Sequence, residues 1–188
     1  YRFPDSTGTV ALLSNNGDEN TAVGKAALNS NTGGSYNTAL GSNALTNNSD
    51  GSENVALGVG AMTNNTTGTN NVAVGVQALN DAQTGTNNVA IGHHALQLTS
   101  SDAGYNVAVG VEALRNAQAN FLSAIGYRAL AENTYGTNNS ALGAYALAAN
   151  TFGSGNVAVG EEALSSNTSS DNNTALGYRA LASSTSGY

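Results

Sequence analysis

An all-β fold, a parallel β-solenoid or β-roll of about ten 17-residue coils, is what this sequence predicts, and three observations predict it. A nine-residue phrase recurs ten times: Asn, Thr/Val/Ser, Ala, Val/Leu/Ile, Gly, two free positions, Ala, Leu. Its glycine stands at Gly24, Gly41, Gly58, Gly75, Gly92, Gly110, Gly126, Gly143, Gly160 and Gly177, and the one 18-residue interval is cancelled by a 16-residue interval directly after it. A fixed short period means that each unit buries its face only against its neighbours. Within the phrase, apolar residues alternate as in Val72-Ala73-Val74-Gly75, the period of a strand. Between phrases runs turn chemistry such as Asn64-Asn65-Thr66-Thr67-Gly68-Thr69-Asn70.

Each position of the coil has its own reason. Branched residues at the second and fourth positions favour a strand. The third is Ala in all ten repeats, from Ala22 to Ala175, so space on that face is tight and something packs there closely: a strand of the same coil, or another chain. The Ala-Leu pair after the two free positions is a second buried step, predicted as a second short strand because one helical turn has no stability of its own. Gly17, Gly34, Gly51, Gly68, Gly85, Gly136 and Gly153 each lie three residues before the repeat Asn, where a positive φ is expected. The repeat asparagines Asn20, Asn37, Asn54, Asn71, Asn88, Asn106, Asn139, Asn156 and Asn173 are predicted to stack as a structural ladder, ~4.8 Å apart, with Leu122 breaking the series. The array covers residues 17–188, and residues 1–16 are a lead-in segment or cap.

Composition excludes several functions. Charged residues make up 9 % of the chain and its net charge is −7, with five scattered cations. Nucleic acid requires a basic stripe, and none is present. No apolar run is long enough to insert in a membrane. Cysteine is absent, which removes disulfides and thiolate metal sites. So thin a coil buries little apolar area against the ordering entropy of its Gly and Asn residues, so association with other chains is expected, small Ala/Gly faces packing together.

The phrases Asn20-Thr-Ala-Val-Gly-Lys-Ala-Ala-Leu28 and Asn173-Thr-Ala-Leu-Gly-Tyr-Arg-Ala-Leu181 resemble the repeats of tail-fibre-domain proteins from phages and phage-like injection systems. They are also similar to the head repeats of trimeric autotransporter adhesins, which are parallel left-handed β-rolls. Residues 1–14, Tyr-Arg-Phe-Pro-Asp-Ser-Thr-Gly-Thr-Val-Ala-Leu-Leu-Ser, resemble a segment that precedes a new module in tail fibres. The resemblance implies a homotrimeric fibre outside the cell, on a virion, an injection particle or a bacterial surface. Adhesin head repeats are shorter than 17 residues, so the cross-section here is expected to differ. Many such fibre proteins end in a self-cleaving chaperone domain that this sequence lacks, which implies a processed or excised piece.

No constellation for catalysis is found, and neither an enzyme activity nor a cofactor nor a metal is expected. His93 and His94 fill the two free positions of one repeat; on a strand they would face opposite ways and not chelate together. Glu161-Glu162 reads as a solvated face. Binding has better support. The free positions vary inside a fixed frame, which points outward, and Tyr127, Arg128, Tyr145, Tyr178 and Arg179 concentrate Tyr and Arg in the C-terminal half. They are the candidate surface for a cell-surface glycan or protein receptor. An ice-binding row of Thr32, Ser49, Thr66, Thr134, Thr151 and Thr168 is a weaker alternative, because Gln83, Ser100 and Gln118 interrupt it.

Overall fold

A computed structural model describes residues 19–99 and 102–185 as a stack of coils joined by one parallel sheet. Its strands are β1 (Thr21–Val23), β2 (Thr38–Leu40), β3 (Val55–Leu57), β4 (Val72–Val74), β5 (Val89–Ile91), β6 (Val107–Val109), β7 (Ser123–Ile125), β8 (Ser140–Leu142), β9 (Val157–Val159) and β10 (Thr174–Leu176). They pair in sequence order, β1 to β10, and every Ala of the phrase lies opposite the next coil's Ala. The unequal intervals leave this register intact: Ala90 faces Ala108, which faces Ala124. At ~4.8 Å per strand the sheet runs roughly 45 Å along the stack. The predicted lead-in segment 1–16 lies outside the described residues, as do Gly17 and Ser100.

The invariant alanines point inward. Ala39, Ala56, Ala73, Ala90, Ala108, Ala124 and Ala158 are fully buried, and with the Ala-Leu pairs they form a single core. This corrects the expected association through Ala/Gly faces, since those faces are consumed inside each coil. The branched residues flank each Ala and, one residue away along a strand, project from the opposite side. They are only half-buried or exposed, as in Leu40, Ile91, Ile125 and Leu142.

A second correction concerns the Gly-x-x-Ala-Leu step, which is a chain of turns and not a second strand. The second free residue and the Leu both adopt the left-handed region, as in Gln77 (φ 53°) and Leu79 (φ 50°), with Ala78 between them. Alternation of this kind sends successive donors up and down the stack. The Gln77 N–H donates to Val59 O of the coil before (2.9 Å), and the Leu79 N–H to Ala95 O of the coil after (2.9 Å). A left-handed leucine costs about 1–2 kcal/mol; full burial of its side chain returns about as much or more.

The glycine expectation is likewise relocated. Gly34, Gly51, Gly68, Gly85, Gly136 and Gly153 do not have a positive φ. They are glycine because a Cβ at Gly68 would strike the carbonyl oxygen of Gly85 and the side chain of Asn65. The left-handed residue is the one directly before the repeat Asn, such as Tyr36, Asn70 or Phe121. The phrase glycine does require its freedom: Gly75 has φ +137°, and a Cβ there would lie 2.5 Å from Gly92 O.

Candidate functional site

The asparagine ladder is a hydrogen-bonded column. Asn37 N–H donates to Asn20 Oδ1 (2.7 Å), Asn71 N–H to Asn54 Oδ1 (3.0 Å), and Asn88 N–H to Asn71 Oδ1 (2.9 Å). Each Nδ2 turns to the adjoining turn, as Asn71 does to Gly85 O (2.8 Å). In Asn54, Asn71 and Asn173 the Nδ2 also reaches the preceding Oδ1, the amide-to-amide link expected from the sequence. Asn106 Oδ1 still receives the Leu122 N–H (3.0 Å), so the column passes the substitution on one side. From Asn37 to Asn156 these side chains are buried, which makes the column scaffold and not a ligand site.

A second column escaped the sequence reading. Asn48 donates to Asn31 Oδ1 (2.8 Å), Asn65 to Asn48 Oδ1 (2.6 Å), Asn150 to Asn133 Oδ1 (2.7 Å) and Asn167 to Asn150 Oδ1 (3.0 Å). Its signal was an Asn three residues after the phrase Leu, replaced by Ala82, Thr99 and Ala117 in the middle of the array. Where Ala82 follows, the buried Asn65 Oδ1 has no partner.

The five predicted surface residues do not form one patch. Tyr127 and Tyr145 meet edge to face with ring centroids 5.1 Å apart, and their side-chain hydrogen bond raises the phenol of Tyr145 above its usual range. Arg128 is directed at Glu112 (3.4 Å) and Glu132 (3.5 Å). Arg179 pairs with Glu162 (2.9 Å) on the neighbouring coil. Tyr178 lies three coils from Tyr127, ~14 Å along the stack. The site therefore divides into a tyrosine pair bordered by an Arg/Glu cluster and a separate Tyr178–Arg179 corner.

The histidines are brought together, against the strand-based expectation, because His94 is left-handed (φ 58°) and β5 has already ended. Their rings stack at 3.7 Å, and His94 Nε2 lies 2.8 Å from Gln77 Oε1. Partial burial lowers the His94 pKa, His93 and Arg115 push the same way, and Glu112 opposes. Among the described residues no three His, Cys, Asp or Glu side chains are grouped to hold a metal ion, and no helix is long and apolar enough to cross a membrane. The Thr row is turned into the stack: Thr66 Oγ1 donates to Gln83 O (2.9 Å), Thr134 to Thr151 O (3.0 Å) and Thr151 to Thr168 O (2.9 Å). Hydroxyls committed to backbone are poorly placed to order ice.

Two surfaces had not been singled out. One is the outer sheet face, where Val55/Leu57, Val72/Val74, Val89/Ile91 and Val107/Val109 form a continuous apolar double row. Ser123 and Ser140 replace Val in β7 and β8, leaving a shallow hollow of about 110 Å³ walled by Ile125, Leu142 and Val159. The other is a line of exposed aromatic rings on the turns. Tyr105 stacks on Phe121 (centroids 5.3 Å) and Tyr135 on Phe152 (5.4 Å).

Comparison of the chain with protein-family models, with curated proteins and with solved structures finds no match.

Proposed function

We propose that this chain is a structural and adhesive segment of a homotrimeric extracellular fibre, of the phage or injection-system tail-fibre kind, that carries a surface for cell-surface glycans. The reading includes no enzyme activity. The observation that carries it is the outer sheet face. A ten-strand row of Val, Leu and Ile left half-buried or exposed along the whole stack is a contiguous apolar strip of the sort that marks an interaction surface. A parallel, in-register neighbour of the same chain would meet it with an identical strip along its full length. The number three rests on the resemblance of the repeats to trimeric fibre proteins. Multivalency then gives the fibre its grip, because three weak sites on one rod gain from effective concentration.

A charge on the outer face tests this without touching the core, which is built from the inward Ala and Leu residues. The double variant Val74→Asp/Ile91→Asp is expected to retain the wild-type circular dichroism and to sediment as a single chain. A variant that sediments with the wild type would remove the outer face from the assembly.

A further inference from the structure

We propose that the line of rings Tyr105, Phe121, Tyr135 and Phe152 is a binding track for an uncharged saccharide chain lying along the rod. The proposal rests on the adhesive reading of the chain but not on its trimeric state, and it moves the binding site away from the Tyr127–Tyr145 pair.

The four rings occupy the turns that lead into β6, β7, β8 and β9, one ring per coil. Tyr105 and Phe121 are each 56 % exposed, and Tyr135 and Phe152 each 60 %. A ring left this open contributes little to the fold. The first pair directly precedes the opening position of the phrase, Asn106 and Leu122; the second lies three residues further upstream, an offset of at most ~10 Å. The result is two stacked pairs on four consecutive coils, the second stepped sideways from the first. Within each pair the rings are nearly parallel, 18° and 17° between planes, at a separation set by the coil rise. That step is comparable to the length of one pyranose unit, so successive sugars could each meet a ring.

The surroundings decide the kind of ligand. Turns 116–122, 133–139 and 150–156, which carry Phe121, Tyr135 and Phe152, contain no Asp, Glu, Lys or Arg, and two acids border them: Asp102 in the turn of Tyr105, and Asp171, whose Oδ1 accepts from the Ser154 N–H (2.7 Å). Their exposed polar groups are amides and hydroxyls, such as Asn120 and Asn138. The open parts of these stacked rings, bordered largely by neutral hydrogen-bonding groups, suit the C–H face and hydroxyl rim of a sugar. A net charge of −7 disfavours sulfated, phosphorylated or sialylated polymers. Other coils place non-aromatic residues at these stations, Asn70, Asn87 and Asn172 directly before the first phrase position and Thr67 and Thr84 further upstream, with the acids Glu53 and Asp50 in one coil and a further exposed ring, Tyr36, in another. Rings are therefore not required by the coil, and the array itself supplies substitutions that keep its backbone.

The test uses the whole chain, titrated with neutral hexasaccharides (cello-, malto- and chito-hexaose) and with polysialic acid and dextran sulfate as anionic probes, by calorimetry. Three variants accompany it: Phe121→Asn, Phe152→Thr and Tyr127→Val, the last removing the tyrosine pair instead. At least one neutral hexasaccharide should bind, each ring variant should weaken it about tenfold, and Tyr127→Val should leave it unchanged. Binding lost in Tyr127→Val but kept in the ring variants would overturn the track and leave the adhesive reading standing. Preference for the anionic polymers would also overturn the track. Absence of binding to every probe by the folded wild type would remove the track and the adhesive reading together.

Discussion

A buried amide that serves two neighbours is the residue on which each coil depends. Asn71 accepts from Asn88 N–H, donates to Gly85 O and bonds Asn54 Oδ1. Asn71→Ala leaves a buried donor and a buried acceptor without partners, at about 1–3 kcal/mol each. We expect a lower urea midpoint with unchanged slope at fixed protein concentration, a loss of about 2–4 kcal/mol in all. An unchanged midpoint would mean that water replaces the column freely. The histidine pair gives a pH signature at the same scale. His94 has its pKa lowered, so the unfolded chain takes up a proton near pH 6.5 while the fold resists it. Stability is then level above that pH and declines as pH falls through 6.5 towards the lowered folded value. In His94→Asn, which tolerates the left-handed backbone as Asn43 does, this decline below about pH 6.5 should vanish from thermal melts.

At the scale of one coil, the strand was legible and the corner was not. Ala flanked by Val, Leu or Ile and closed by Gly is a strand pattern, and all ten strands lie where it falls. Which face is buried was open, because periodicity fixes two faces without saying which one meets the core. The Ala column pointed to a tightly packed face but not to whether the same coil or another chain met it; the larger residues stayed outside because a 17-residue coil has no room for two branched rows within. The Ala-Leu corner was unreadable because leucine has no preference for the left-handed region; only stacking holds it there. Gly75→Ala tests the corner. A Cβ at φ +137° and 2.5 Å from Gly92 O forces the backbone apart, and the cost should exceed the ~1 kcal/mol of an ordinary Gly-to-Ala change at an incompatible site. The same exchange at Gly60, where the nearest atoms lie at 3.4 Å and Asn43 and Gln77 hold the equivalent stations, should cost much less. Equal losses in paired melts would show that the phrase glycine is not conformationally required. Of the candidate site, Tyr127 and Tyr145 were named from sequence among five residues of the C-terminal half, and only the structure shows that these two meet. The ring line was missed because its members lie in two different columns of the turn, and the period exposes only one column at a time.

For the whole rod, the inside of each coil is saturated and the outside of its sheet is not. Apart from a few buried atoms such as Asn65 Oδ1 and Thr99 Oγ1, the core, asparagine columns and coil-to-coil hydrogen bonds are satisfied within one chain, so a single rod can hold its shape. Its apolar outer face remains the largest feature without a partner, and it runs the full length of the sheet. A fibre that buries this face and leaves the turns outside would carry its aromatic track on the surface, where a cell-wall or capsule polymer could reach it. Assembly would also bind stability to concentration. The most direct measurement is the solution mass of the purified chain by light scattering, before and after mild heating. The account predicts three times the 18.7 kDa chain mass, persisting on heating. A stable species of 18.7 kDa would contradict it, and would mean that the outer face is tolerated in water and the fibre does not form through it.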